Sequence, residues 1–183
     1  MADRILHEIT PLMGKDALYI ADRRKKEFVY PIHNHEVYEL NFVENAAGVR
    51  RIVGDSSEII GNYDLVLITS PELEHVWEQN TCTSKDIREI TIQFKFGLDE
   101  CDSLFRKTPF LSIYNLLKEA QNGIAFPLPT IMKVYNLITT ISQIEDRFET
   151  IMQFLRILHI LSVEEGAHAL ATSAYAKVEI QDD

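Results

Sequence analysis

The sequence predicts a mostly β fold closed by C-terminal helices, and three observations carry that prediction. Over residues 17–96, short apolar runs are separated by turn signals at the spacing of an all-β barrel or sandwich. After Gly97 the apolar period changes from that of a strand to that of a helix. Within the β region, residues 31–42 (PIHNHEVYELNF) place His33, His35 and Glu39 at odd positions and Tyr38, Leu40 and Phe42 at even ones. An extended chain sends those two sets to opposite faces. A strand with both faces occupied belongs inside a layered fold.

Composition narrows the function classes. At 183 residues, 46% apolar and 25% charged, the chain has the make-up of a globular protein able to bury a core without staples. Twenty-eight acidic residues against 18 Lys and Arg give a formal charge of -10, which repels a phosphate backbone. The residues themselves therefore argue against direct DNA binding. Cys82 and Cys101 sit at no metal or redox spacing and read as free thiols of a reducing cytosol. With no secretory h-region and no membrane-length apolar run, the expected location is cytoplasmic, with no membrane partner.

In chain order, strands are expected at 17–21, 28–32, 38–44, 49–53, 58–60, 65–69, 75–78 and 88–96. Ala46-Ala47-Gly48, Gly54-Asp55-Ser56 and Gly61-Asn62 supply turns, since Gly and Asn tolerate positive φ. Ser70-Pro71 ends its strand because proline lacks the ladder donor. In the final strand, Ile90, Ile92, Phe94 and Phe96 alternate with Glu89, Thr91, Gln93 and Lys95, giving one buried and one polar side.

Three helices follow. Ile113, Leu116, Leu117 and Ala120 form a stripe that stops at Asn122-Gly123. After Pro127 and Pro129, Thr130 is the expected N-cap of a helix carrying Ile131, Val134, Tyr135, Ile138 and Ile141. The last helix, residues 147–165, carries Phe148, Ile151, Met152, Leu155 and Leu158 on one stripe and Phe154, Ile157, Ile160 and Leu161 on another. Both stripes must be buried, within the monomer or against a partner chain. The expectation is a homodimer seam at Phe154, Ile157 and Leu161. Residues 167–183 lack periodicity and read as a linker or frayed end. The expected organisation is a barrel over 1–97, a helical dimerisation region over 98–166 and the tail over 167–183.

Chemistry concentrates on His33, His35, Glu39 and a later histidine, His75. Three imidazoles and one carboxylate suit a divalent ion such as Zn, Ni, Fe or Mn, with coordination positions left for water or a ligand. The same side chains could instead line a cavity for an organic ligand. Trp77, two residues beyond His75 on the same strand, offers a ring to stack on a ligand and an N–H as a polar handle. Phe94 is a further aromatic candidate for the cavity. No catalytic triad motif and no phosphate-binding glycine loop occurs, so no catalytic residue is assigned.

The motif HNHEVYE over residues 33–39 resembles the first motif of the cupin superfamily, HxHxxxE, and GNYDLVLITSPELEH over residues 61–75 resembles the second. YELNFV at 38–43, the continuation to Trp77, and the helices ending in RILHILS at 156–162 are similar to the N-terminal sensor domains of AraC-type bacterial transcription regulators. The resemblance spans residues 17–165. It departs from the cupin pattern at Glu27, where a glycine is usual, and between Pro71 and His75, where the spacing is one residue shorter and Leu73 replaces a glycine. The resemblance implies a cupin-like double-stranded β-helix barrel followed by antiparallel dimerisation helices. It also implies a small-molecule effector, with sugars common in the family, and a DNA-binding helix-turn-helix domain outside this chain. The alternative is a stand-alone metal-dependent cupin enzyme, an oxygenase or isomerase, using the same four residues.

Overall fold

The computed structural model describes residues 5–12 and 14–172. Among these, the strands are β1 (Leu6–His7), β2 (Leu18–Lys25), β3 (His33–Asn34), β4 (Tyr38–Glu44), β5 (Arg50–Val53), β6 (Ser56–Ile59), β7 (Tyr63–Ile68), β8 (His75–Glu78), β9 (Ile87–Phe94), β10 (Ile124–Ala125) and β11 (His168–Ala169). The helices are α1 (Leu111–Glu119), α2 (Leu128–Thr140) and α3 (Arg147–Val163). The fold is mostly β with helices toward the C-terminus, as the change of period predicts. No described helix is long and apolar enough to cross a membrane.

Two sheets face each other. One has the order β1-β3-β8-β5-β6, the other β11-β10-β7-β4-β9-β2. β4 lies at the centre of the larger sheet, antiparallel to β7 on one side and β9 on the other. Its alternation therefore decides the layering. Leu40 and Phe42 pack with Leu65 and Leu67 of β7, Ile90, Ile92 and Phe94 of β9, and the apolar stripes of all three helices. On the reverse side, Val43, Val66, Ile68 and Ile87 meet Val53, Leu73 and Trp77 of the smaller sheet and its loops in a second core. The expectation that helices cover the even face of β4 is met.

Local chemistry sets the boundaries. Gly48, at φ +92°, closes the turn after β4, where a Cβ would sit 2.9 Å from Thr81 Oγ1. Gly123, at φ +68°, stops the helical turn after α1 as the sequence signal requires. Asp146 caps α3, its carboxylate accepting from Glu149 N–H at 2.9 Å.

Several expectations change. Residues 28–32 form no strand; they lead irregularly into the two-residue β3, and Val29 is left exposed. β9 ends at Phe94, before Phe96. Thr130 does not cap α2, because the helix begins at Leu128 with Pro127 in the cap position, and Thr130 is buried in its first turn. Phe94 belongs to the helix-side core, its ring 4.8 Å from that of Phe154, so it does not line a cavity between the sheets. Phe154, Ile157 and Leu161 are completely or almost completely buried in the same core. They hold the monomer's helices to its sheet and are not available as a seam. The outward stripe of α3 is the other one, where Phe148 and Met152 are exposed.

The division at residue 97 separates layers more than bodies, since β10 and β11 return to the larger sheet from beyond it. Residues 168–172 of the expected tail are seated against the edge of the larger sheet, with Leu170 and Ala171 buried. Residues 173–183 of that tail lie outside the described residues.

Candidate ligand cavity and metal centre

Residues 31–42 do not run as one strand: β3 and β4 are separated by a bend at residues 35–37. Period-2 parity alone therefore does not assemble the histidines. Cross-strand pairing does, because His33 lies directly opposite His75 on β8, while Glu39 enters from the facing sheet. The ring centroids of His33 and His75 are 4.4 Å apart and those of His35 and His75 4.9 Å. One donor atom from each of the three histidines lies within 4.8 Å of the others, and all three side chains are buried.

The three rings are oriented alike. Nδ1 donates to the Pro31 carbonyl in His33 (3.0 Å), to the Val37 carbonyl in His35 (2.8 Å) and to the Leu73 carbonyl in His75 (2.9 Å). A carbonyl only accepts, so Nδ1 carries the proton in each. Each brace comes from main chain two residues away. This arrangement turns Nε2 inward as the remaining nitrogen, which is how metal-binding histidines are held by their outer partners. Nε2 of His75 is buried with no hydrogen-bond partner among the described residues, and the nearest oxygen of Glu39 is 3.7 Å away.

His35 differs from the other two. Its Nε2 donates to Glu39 Oε2 at 2.9 Å, so both ring nitrogens are donors and the pair is an imidazolium and a carboxylate. Burial opposes charge on His35, but the hydrogen bond and charge of Glu39 outweigh it and raise its pKa. Burial likewise works against the Glu39 carboxylate, yet the His35 hydrogen bond and the neighbouring imidazoles hold its pKa down to about 2. Burial dominates for His75 and pushes it down to about 4, so it is a neutral base at pH 7. One carboxylate and three imidazoles, His75 among them neutral, fit a borderline divalent ion on donor type. The orphaned Nε2 of His75 is the atom most in want of a partner.

Beside the tetrad, a cavity of about 330 Å³ opens between the sheets. That volume lies at the lower end of what small-molecule sites use. His33, Glu39 and Trp77 line it; His35 and His75 form the site behind them. Trp77 contributes its ring, but its N–H is committed to Asp64 Oδ2 at 3.0 Å, so it offers a face and no free polar handle. Asp64 is in turn paired with Arg51, which also bonds Glu58.

The sequence reading missed the cavity's principal wall. Asn41 on β4 and Glu89, Thr91 and Gln93 on β9 all face inward. They form a hydrogen-bonded ladder: Thr91 donates to Asn41 (2.8 Å), Asn41 Nδ2 to Glu89 (3.3 Å) and Gln93 Nε2 to Glu39 (3.2 Å). Gln93 also reaches Glu8 at 3.3 Å, with its own Oε1 buried and unpartnered. Lys25 neutralises Glu89. The signal was present in the alternation of β9, whose polar side turns out to face the cavity instead of bulk water.

No family model matches the chain, and no curated protein does. Among solved structures it is similar to ToxT from Vibrio cholerae O395 bound to (E)-4-(8-methylnaphthalen-1-yl)but-3-enoic acid, at 13% identity and TM-score 0.44, covering 77% of this chain and 55% of that one. It is similar to a second ToxT crystal form from Vibrio cholerae at 14% identity and TM-score 0.45, covering 92% of this chain and 61% of that one. An apo ToxT variant from the same organism matches at 14% identity and TM-score 0.47, with 92% and 60% covered. The chain thus spans 55 to 61% of the length of these structures.

Proposed function

We propose that this chain is the effector-sensing and dimerisation domain of an AraC-type transcription regulator, with a cupin-like barrel that takes a small molecule in the cavity between its sheets. The supporting observation is that β4 and β9 are shared. Their polar positions wall the cavity and their apolar positions carry the helix layer. A ligand that prefers one arrangement of the wall then shifts the population of arrangements beneath the helices. DNA is reached only through a helix-turn-helix domain outside this chain. The chain is cytoplasmic and a homodimer, with the exposed α3 stripe of Phe148 and Met152 as the seam.

The cavity's ladder of amides, hydroxyl and carboxylates suits a polar, hydroxyl-rich effector such as a sugar, with Trp77 as its stacking face. Thermal-shift screening with a panel of monosaccharides and related polyols tests this. A stabilising ligand whose effect disappears in Gln93→Leu supports the cavity assignment, and a ligand whose effect survives that change removes it. The downstream coding sequence tests the class: two helix-turn-helix units support the reading, and a stop codon directly after Asp183 sinks it.

The orphaned Nε2 of His75 favours a second reading, a metal-dependent cupin enzyme held by His33, His35, Glu39 and His75. A bound divalent ion would supply Lewis acidity and open positions for a ligand oxygen. The chain's own part would be to aim the nitrogens through main-chain braces and to exclude water. Metal analysis of protein purified without a nickel column, compared with His33→Ala, decides occupancy: stoichiometric metal that the variant loses supports an ion site, and metal-free protein with an intact cavity removes it.

A further inference from the structure

Residues 168–172 (HALAT) leave α3 and cross back over the barrel. β11 pairs with β10, and the two residues after it continue the attachment: Leu170 N–H donates to the Gly123 carbonyl at 2.9 Å and Ala171 N–H to that of Asn122 at 2.8 Å. Both side chains are buried. The far end is fastened at Asp55 in the β5–β6 turn, whose carboxylate accepts from Thr172 N–H (2.9 Å) and from its hydroxyl (2.5 Å). An exposed contact of 3.7 Å between His168 and Glu58 adds little.

What lies beneath this segment is the back of the candidate site. Leu170 and Ala171 share one apolar core with Val53, Leu73 and Trp77. Gly123 is the point of closest approach: a Cβ there would fall 2.9 Å from Val53 Cγ1, 3.4 Å from Leu73 Cδ2 and 3.7 Å from Leu170 Cβ. Both sheet-side residues at that point also hold His75. Val53 is its partner across the β5–β8 ladder, and the Leu73 carbonyl accepts from its Nδ1. Trp77, two residues on, is a wall of the cavity.

We infer that residues 168–172 are a strap whose seating is coupled, through Leu73 and Val53, to the placement of His75 and Trp77 at the cavity wall. The inference rests on the sensor reading for its purpose: a strap held or released by the wall would pass occupancy to whatever the chain joins beyond Thr172. Coupling of this kind is reciprocal, so it is detectable from the strap end with no ligand at all.

Trp77 is the sole tryptophan, so its fluorescence reports the wall without labelling. The experiment uses the full chain with two separate substitutions, Asp55→Ala at an exposed anchor and Leu170→Ala at the buried one. Hydrogen exchange at the Leu170 and Ala171 amides measures seating; emission and acrylamide quenching of Trp77 measure the wall. The expected result is at least tenfold faster exchange of those amides in Leu170→Ala with at least a twofold rise in quenching, and smaller changes of the same sign in Asp55→Ala. Protection of the Leu40 and Phe42 amides serves as the check that the fold persists; if Leu170→Ala loses it, Asp55→Ala alone decides. Faster strap exchange with unchanged Trp77 overturns the inference. Unchanged exchange in the folded variants also overturns it, because the named contacts would not be what seats the strap. Neither substitution is in the cavity lining, so a negative result leaves the sensor reading standing, whereas a cavity that binds nothing leaves the strap coupling standing without that role.

Discussion

The two faces of β4 and β9 are built from the same backbone and differ in almost every other respect. Toward the helices, Leu40, Phe42, Ile90, Ile92 and Phe94 are nearly inaccessible and pack into one apolar core. Toward the smaller sheet, Glu39, Asn41, Glu89, Thr91 and Gln93 form a polar ladder around open volume, with two buried acceptors, His75 Nε2 and Gln93 Oε1, left without partners. Close packing stabilises the first face, and the stability of the second depends on how its charges are paired. One face holds the fold, and the other gives up close packing for a polar, partly open wall.

The sharpest way to break this contrast is on the helix side. Phe154→Ala should cost about 3–5 kcal/mol, read as a fall in the urea midpoint, because a fully buried ring leaves a cavity. A charge at Ile157 should unfold the chain; a folded monomer obtained instead would restore that residue to a subunit seam. Arg51→Met comes next. It leaves Asp64 buried without its cation, a loss of about 3–4 kcal/mol by the same measurement, and a cost near zero would mean that water reaches the pair.

The cavity side should show itself in pH dependence of the metal-free protein. His75 is pushed down to about 4 from 6.5, so its contribution is complete above pH 6.5 and is lost as pH falls toward 4. The raised pKa of His35 works oppositely: its contribution is present below pH 6.5 and is lost as pH rises through the folded value. Glu39, held at about 2 against an ordinary 4.5, adds a further loss below pH 4.5. Stability should therefore peak near pH 6.5, with the His75 part of the acid limb on the order of 3 kcal/mol. His75→Gln should flatten the acid limb above pH 4.5 and His35→Gln the alkaline one; unchanged limbs in both variants would take these groups out of the site's electrostatics.

The smallest effect is expected at the exposed α3 stripe. Met152→Glu should alter stability by less than about 0.5 kcal/mol. If the subunits pair there, sedimentation should show a dimer becoming a monomer; an unchanged dimer would move the seam elsewhere.

Much of the fold was legible where one physical signal dominated. Residues 38–44 and 75–78 form strands with the expected boundaries, because period-2 alternation and flanking turns agree there. The change of period after Gly97 located the helix layer for the same reason. The errors occur where burial depends on what lies opposite. The polar side of β9 reads as solvent-facing because sequence does not distinguish water outside the fold from a cavity within it. Either stripe of α3 could have faced inward, and packing on the sheet selected Phe154, Ile157 and Leu161. The strap has no period to read: its pairing with β10, its main-chain bonds to residues 122 and 123 and the Thr172 contacts with Asp55 place it, and those are tertiary. The grouping of His33, His35 and Glu39 was visible in advance, but their meeting with His75 depends on the β3–β8 pairing.

The braces on the three histidines have a consequence for how such a site can change over evolutionary time. Each ring is braced by a peptide carbonyl two residues away; of the cavity-lining side chains Glu39 also holds His35, while Asn41, Thr91 and Gln93 bond none of the three rings directly. If the cavity takes a ligand as proposed, substitutions at Asn41 or Thr91 would change its wall while the imidazoles keep their carbonyl braces. On the proposed reading, a cavity arranged in this way would separate what it takes up from how its imidazoles are held, so that lineages carrying it would be able to diversify in ligand without rebuilding the centre.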